Sequence, residues 1–319
     1  MGGPSDPATE EAIRWAYRVI LGREPDAGGL ARYAAEARDH GLTLARLREI
    51  FLSSEEFRSR ARQRVATVEM GGHVVVVDPE EPAFGAAIAR HGTWEPHLGA
   101  LLDRNLRPGD VVVDVGANVG VFAFRAARLV GPAGRVIAFE PDPANAALFL
   151  RGVAANRFGH VTLFPLALSD RRAVFALQGG ANAWLVPAGA TEVMAQAVPG
   201  DEVLATEPRV DFVKLDIEGH EPFALRGLAR ILALHRPLVL CEFNPRCLRD
   251  HAGQDPAGFA DAIFALAGDV TAIGHDGTET PVVGAGALLA LWEREDRRAT
   301  ESGLLPAGML HLDLLFRPG

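Results

Sequence analysis

Apolar positions fall at helical spacing through the first sixty residues. Ile13, Ala16, Tyr17 and Ile20 occupy i, i+3, i+4 and i+7, one face of an amphipathic helix, and Gly22 follows as a stop. Leu30, Tyr33, Ala34 and Ala37 repeat the pattern before Gly41, and Thr43 stands where it would cap a third helix carrying Leu44, Leu47 and Phe51. Ser53 and Glu56 have the spacing of a capping box ahead of Phe57. From about residue 66 short apolar runs take over, at 74–77, 111–115, 136–139, 161–166, 210–217, 237–243, 270–273 and 311–316. Helical patterns separate most of them. This alternation predicts an α/β fold, a doubly wound and mostly parallel sheet with helices on both faces, preceded by a small all-helical domain. The expected boundary is 1–64 and 65–319.

The strongest chemical signal is the run from Asp110 to Gly120, an apolar strand that ends in Asp114-Val115-Gly116-Ala117-Asn118-Val119-Gly120. Such a turn brings a ligand onto backbone N–H groups at a helix N-terminus. A dinucleotide fingerprint would place glycines at 116, 118 and 121, yet 118 is asparagine and 121 is valine. Asp114 would repel a pyrophosphate, whereas it suits the ammonium of a methionine moiety. Glu140 lies 20 residues beyond Gly120, at the end of the next strand and before Pro141. A carboxylate there accepts from both ribose hydroxyls. The non-dinucleotide turn and the ribose carboxylate together point to S-adenosylmethionine, held by Asp114, Gly116, Asn118, Gly120, Glu140 and Pro141.

The third signal is Lys214-Leu215-Asp216-Ile217-Glu218-Gly219-His220-Glu221. By strand alternation Phe212, Lys214, Asp216 and Glu218 share a face. A central parallel strand is normally apolar on both faces, so three charges in a row need a reason. One reason is a self-contained ion pair, and the other is chemistry beside a transferable methyl. Lys214 is the chain's single lysine among 31 arginines, a position where an ammonium is needed in particular. On the chemical reading His220 is the preferred base, with Asp216 and Glu218 orienting the acceptor or Lys214. A metal-free site is expected, with a divalent ion on Asp216, Glu218 and His220 as the alternative. Asp170 would meet the adenine amino group or serve as a turn residue. Asn182 and Trp184 lie in a Gly/Ala-rich loop at 179–189 that would cover the site, and Glu242 and Asn244 would line the acceptor pocket.

Taken in order, these motifs resemble the FkbM family of methyltransferases. The resemblance rests on Glu95 in Gly92-Thr93-Trp94-Glu95, the 114–120 turn, Ala138-Phe139-Glu140-Pro141-Asp142, Ala167-Leu168-Ser169-Asp170, 214–221, Arg236-Pro237 and Glu242. It adds Glu95 to the cofactor-binding residues. It implies O-methylation of a hydroxyl on a sugar, glycolipid or polyketide, with N- or carboxyl-methylation and a non-catalytic cofactor-binding adaptor as rivals. His220 departs from the small residue common in the family, so no role for it is implied. The opening helices resemble a bacterial helical domain of unknown function, through Tyr17-Arg18, 21–26, Gly28-Gly29-Leu30, Tyr33 and 51–57. That implies a docking module for a protein partner.

Composition narrows the partners. A net charge of −9 argues against general affinity for nucleic acid or anionic lipid, since both need a basic face. The longest apolar stretch, 281–292, is broken by glycines and too short to span a bilayer. Two cysteines without metal-ligand spacing exclude a disulfide framework. With no signal-like start, a cytoplasmic enzyme acting on a small hydroxylated molecule is expected.

Overall fold

The computed structural model describes residues 8–21, 23–60, 65–82, 84–187 and 193–319. Gly22, the boundary residue Arg64 and Gly189 of the proposed covering loop lie outside the described residues. Four helices open the chain: α1 (Glu10–Leu21), α2 (Ala27–His40), α3 (Leu44–Ser53) and α4 (Glu55–Arg60). The stripe Ile13, Ala16, Tyr17 and Ile20 is buried, as the periodicity predicts. Gly41 ends α2 at a φ of 65°, and Thr43 Oγ1 accepts from the Arg46 N–H at 3.2 Å to start α3. The capping box shifts by one residue. Ser54, not Ser53, accepts from Phe57 N–H at 3.1 Å, while Ser53 bonds back to the Ile50 carbonyl. Glu56 is drawn away by the Arg23 guanidinium, a charge-assisted bond stronger than a cap to a neutral amide.

A hairpin of β1 (Ala66–Glu69) and β2 (Val74–Val77) leads to α5 (Gly85–His91) and α6 (Pro96–Asn105). Then β3 (Val111–Val115), α7 (Val121–Val130), β4 (Arg135–Phe139), α8 (Pro143–Asn156) and β5 (Val161–Phe164) wind in one direction. A side sheet follows from β6 (Ala167–Leu168), β7 (Ala173–Gln178), β8 (Trp184–Pro187) and β9 (Met194–Val198), in the order β6-β9-β7-β8. The main sheet resumes with β10 (Phe212–Leu215), β11 (Leu238–Phe243), β12 (Val270–Ile273), β13 (Glu279–Val282) and β14 (Leu312–Phe316).

Its eight strands run β13-β12-β14-β11-β10-β3-β4-β5. Strands β11, β10, β3, β4 and β5 are parallel, and β14 enters antiparallel to β11. This is the expected doubly wound, mostly parallel architecture, with helices on both faces. Two apolar layers sandwich the sheet, one around Val113, Ile137 and Leu215, the other around Val112, Ala138 and Phe124. Chain order reverses between β3 and β10, so the ligand crevice opens at their carboxyl ends.

Three features depart from the pattern reading. The side sheet was not expected. The helical pattern between the runs at 210–217 and 237–243 is two short helices, Glu221–Gly227 and Ala229–His235. The apolar stretch 281–292 is the end of β13 followed by the start of a helix at Ala285–Glu301. No helix among the described residues is long and apolar enough to cross a membrane.

The opening helices sit on α8. Ala146 and Leu150 of α8 belong to the same apolar cluster as Ile13, Tyr17, Leu47 and Phe51, and the Arg151 guanidinium lies 4.8 Å from the Phe57 ring centre.

Candidate active site

A cavity of about 470 Å³ opens at the carboxyl edge of β3, β4, β10 and β11, a size suited to a nucleoside cofactor with room for a reacting group. Its floor is the turn after β3. Gly116 has a φ of 83°, and a Cβ there would stand 1.9 Å from the Asp216 carbonyl oxygen. Only glycine serves such a close approach. Asn118 takes a left-handed φ of 49°, and Gly120 begins α7 at 99°. Glu140, at the end of β4, is buried on the cavity wall. Its Oε2 accepts from the Asn118 N–H and its Oε1 from the Asp142 N–H, both at 2.8 Å. Burial pushes its carboxyl up to about 8. Pro141 completes this wall.

Asp114 is placed differently from the expectation. Its carboxylate is 2% exposed, behind the turn, and does not reach the cavity. It faces Lys214, its register partner on β10. Burial pushes the Asp114 carboxyl up to about 6, against the pull of that ammonium. The alternation of β3 turns Val113 and Val115 to one face and Asp114 to the other, and of the three only Val115, at the strand end, lines the cavity.

Lys214 is the hinge of the charged group. Its Nζ donates to Asp216 Oδ2 at 2.8 Å and lies 4.9 Å from the Phe122 ring centre. Burial works against its charge, but Asp216 and Asp114 outweigh that and raise its pKa above the ordinary value. Asp216 keeps 34% of its side chain exposed, into the cavity. Burial would raise its pKa, yet Lys214 prevails and lowers it. Glu218 follows at a left-handed φ of 56°, its Oε2 accepting from the Cys247 thiol at 3.3 Å. Burial, helped by Asp216, pushes Glu218 up to about 7. The loop is tied down by Glu221, whose Oε1 accepts from Ile217 N–H at 2.8 Å and Gly219 N–H at 3.3 Å.

His220 does not join them. Its ring is 4.5 Å from Phe223 and 5.5 Å from Phe175, with Nε2 3.0 Å from Ser169 Oγ, away from the cavity. Burial lowers its pKa to about 4. Alternation ends with β10 at Leu215, and the positive φ of Glu218 and Gly219 turns the chain, so residue 220 leaves the face of 214 and 216. The trio Asp216, Glu218 and His220 is therefore not assembled. Asp170 is likewise turned outward, paired with Arg226 at 3.1 Å, and Leu166, Ala167 and Leu168 line the cavity in its place.

Other residues fill the site. Glu242, at the end of β11, is buried with its pKa raised well above the ordinary value by desolvation and the neighbouring carboxylates. His311 stands between two carboxylates, Nε2 3.4 Å from Glu95 and Nδ1 3.6 Å from Glu242. Burial opposes its charge, but Glu95 and Asp313 raise its pKa to about 9. Nothing local marked His311. It comes to the site because β14 inserts beside β11, pairing Leu312 with Phe243. The 179–187 segment crosses the turn, with Asn118 Nδ2 donating to Asn182 Oδ1 at 3.4 Å. Trp184 stacks on His251 at 4.1 Å, the rings 5° from parallel.

Residues 114–253 match the methyltransferase FkbM domain. The chain carries an FkbM methyltransferase domain. The match takes in the cofactor turn, Glu140, Lys214, Asp216, Glu218 and Glu242, while Glu95 and His311 come from outside it. FkbM from Methylobacillus flagellatus KT is 17% identical over 72% of this chain, with a TM-score of 0.34. The chain spans 47% of that protein's length. The O-methyltransferase TomG from Streptomyces achromogenes, involved in tomaymycin synthesis, is 17% identical over 70% of this chain and 80% of its own, with a TM-score of 0.39. TYW2 of P. horikoshii is 13% identical over 80% and 71%, with a TM-score of 0.42. No curated protein matches the chain significantly. The match to a methyltransferase domain implies S-adenosylmethionine as the methyl donor. The residues fit that cofactor: a glycine turn without room for a side chain at 116, a ribose-type carboxylate at Glu140, and an acidic wall suited to a cationic ligand.

Proposed function

We propose that the enzyme methylates a hydroxyl of a small molecule of the sugar, glycolipid or polyketide type. Support comes first from the contact between the cofactor turn and the carboxylate loop. Gly116 lies directly against the Asp216 carbonyl, so a side chain fixed by Lys214 opens on the cavity beside the cofactor floor. In this reading Gly116, Asn118, Gly120, Glu140 and Pro141 hold the cofactor, with Glu140 on the ribose and Glu95 on the acidic wall. Asp114 acts from behind, helping to hold Lys214. Lys214 positions Asp216, and Asp216 with Glu218 orients the acceptor hydroxyl. The bound cofactor supplies an already activated methyl, so alignment and exclusion of water are the main tasks left to the chain. Asn182 and Trp184, lying across the turn, suit that exclusion.

Residues 1–64 are read as a helical docking unit for a protein partner and 65–319 as the enzyme. A cytoplasmic site of action suits the free thiols of Cys241 and Cys247. The deciding experiment is transfer of labelled methyl from the cofactor into an extract of the native host, followed by identification of the product. A methyl ether supports the reading. A methylated amine or ester would move it to the rival acceptors, and cofactor binding without any turnover would make the protein an adaptor.

A further inference from the structure

Three side chains of different chemistry converge on one wall of the cavity. Cys247 and His251 are four residues apart, along the helix Pro245–Asp250 and at its cap, and so project from one face. Opposite them stands Glu218, in the loop that Glu221 ties down. A carboxylate oxygen, the thiol sulfur and a ring nitrogen, one from each, all lie within 4.8 Å of one another. All three residues line the cavity. We propose that Glu218, Cys247 and His251 bind a thiophilic divalent cation of the zinc class, with a fourth coordination position opening on the cavity.

The geometry is close to what such an ion requires. The thiol and the Glu218 oxygen are 3.3 Å apart. A tetrahedron with Zn–S of about 2.3 Å and Zn–O of about 2.0 Å has an edge of about 3.5 Å. The imidazole is held in the manner of a ligand. Its Nδ1 is 3.0 Å from the Glu218 carbonyl oxygen, which can only accept, so Nδ1 carries the proton and the other ring nitrogen offers its lone pair. The Trp184 stack fixes the plane of the ring. One sulfur, one nitrogen and one oxygen suit zinc or cobalt, whereas magnesium and calcium require oxygen shells. On binding, the thiol proton leaves to solvent and the metal takes its place, with no change of oxidation state. An ion with an open position here would take the acceptor hydroxyl and ease its deprotonation. That role rests on the hydroxyl reading, but the binding itself does not.

Cobalt(II) titration of the purified full-length protein tests the site. The expected result is one equivalent bound, a near-ultraviolet thiolate-to-cobalt band, and displacement by zinc but not by magnesium. Cys247→Ser should abolish the band. His251→Ala, at a helix end, should weaken binding about tenfold or more with unchanged far-ultraviolet dichroism, which keeps the test valid if the cysteine variant fails to fold. No band in the wild type, or an equal band in Cys247→Ser, would overturn the proposal. S-adenosylhomocysteine binding, measured on the same samples, separates the two readings. Retained binding without metal removes only the ion, and absent binding in the wild type removes the methyltransferase reading.

Discussion

The Cα of Gly116 lies against the carbonyl of Asp216, so close that a methyl group would stand 1.9 Å from that oxygen. Gly116→Ala must push the cofactor turn and the carboxylate loop apart, and its φ of 83° adds strain for any L side chain. We expect a loss of about 2–4 kcal/mol in stability together with loss of S-adenosylhomocysteine binding. Calorimetry and thermal denaturation check both, and a variant with wild-type affinity would show that the contact does not shape the site.

Lys214 lies between two carboxylates, bonded to Asp216 and facing the buried Asp114. Lys214→Met leaves both without their cation, at an expected cost of about 3–5 kcal/mol. Lys214→Arg should not restore wild-type stability, because a longer, bulkier guanidinium replaces the buried ammonium that donates to Asp216 at 2.8 Å. Urea unfolding of the two variants gives the comparison. A neutral effect of the methionine variant would mean that the pair contributes no stability.

The roles of Asp216 and His220 separate by substitution. Asp216→Asn should lower kcat by about 10²-fold with little change in cofactor affinity, as expected when an orienting contact is lost. His220→Ala should mainly lower stability, since its ring fills space between Phe175 and Phe223. A large loss of kcat in a stably folded His220→Ala protein would contradict this division. Glu140→Ala should weaken S-adenosylhomocysteine binding by about 1.5–3 kcal/mol, measured by titration calorimetry.

Stability should fall as pH rises from about 6.5 to about 9. His311 has its pKa raised to about 9, from an ordinary 6.5. The folded protein therefore binds more protons than the unfolded chain in this window, and its stability decreases with pH. Glu95, Asp313 and Asp216 favour the charged imidazole, Glu242 lies 3.6 Å from its Nδ1, and His275 packs on it at 4.2 Å. Glu140, raised to about 8 from 4.5, acts with the same sign and over a lower range. Thermal melts across pH should show the decline, and His311→Gln should flatten its upper half. An unchanged slope in that variant would assign the effect elsewhere.

A chain beginning at Val65 should fold and bind S-adenosylhomocysteine, with a lower Tm because Ala146 and Leu150 of α8 lose their cover. Aggregation of that protein would make the helical unit an integral part of the enzyme.

Local sequence alone determined much of this molecule. The 3.6-residue stripes of α1 and α2, the cap at Thr43, the glycine turn after β3 and the carboxylate after β4 depend on bonds within a few residues, and each stands where the pattern put it. Periodicity could not say where a strand ends. β10 stops at Leu215, and the positive φ of Glu218 and Gly219 turns the chain, so His220 lies away from the cavity where a base would act. Asp114 shows the same limit: its position on the strand was legible, but its partner on β10 is set by register between segments 100 residues apart. His311, His251 and Cys247 reach the cavity only because β14 inserts beside β11 and the Gly219 loop packs on the helix after β11. Those are long-range packing choices, made by the burial of two apolar layers, and no local spacing encodes them.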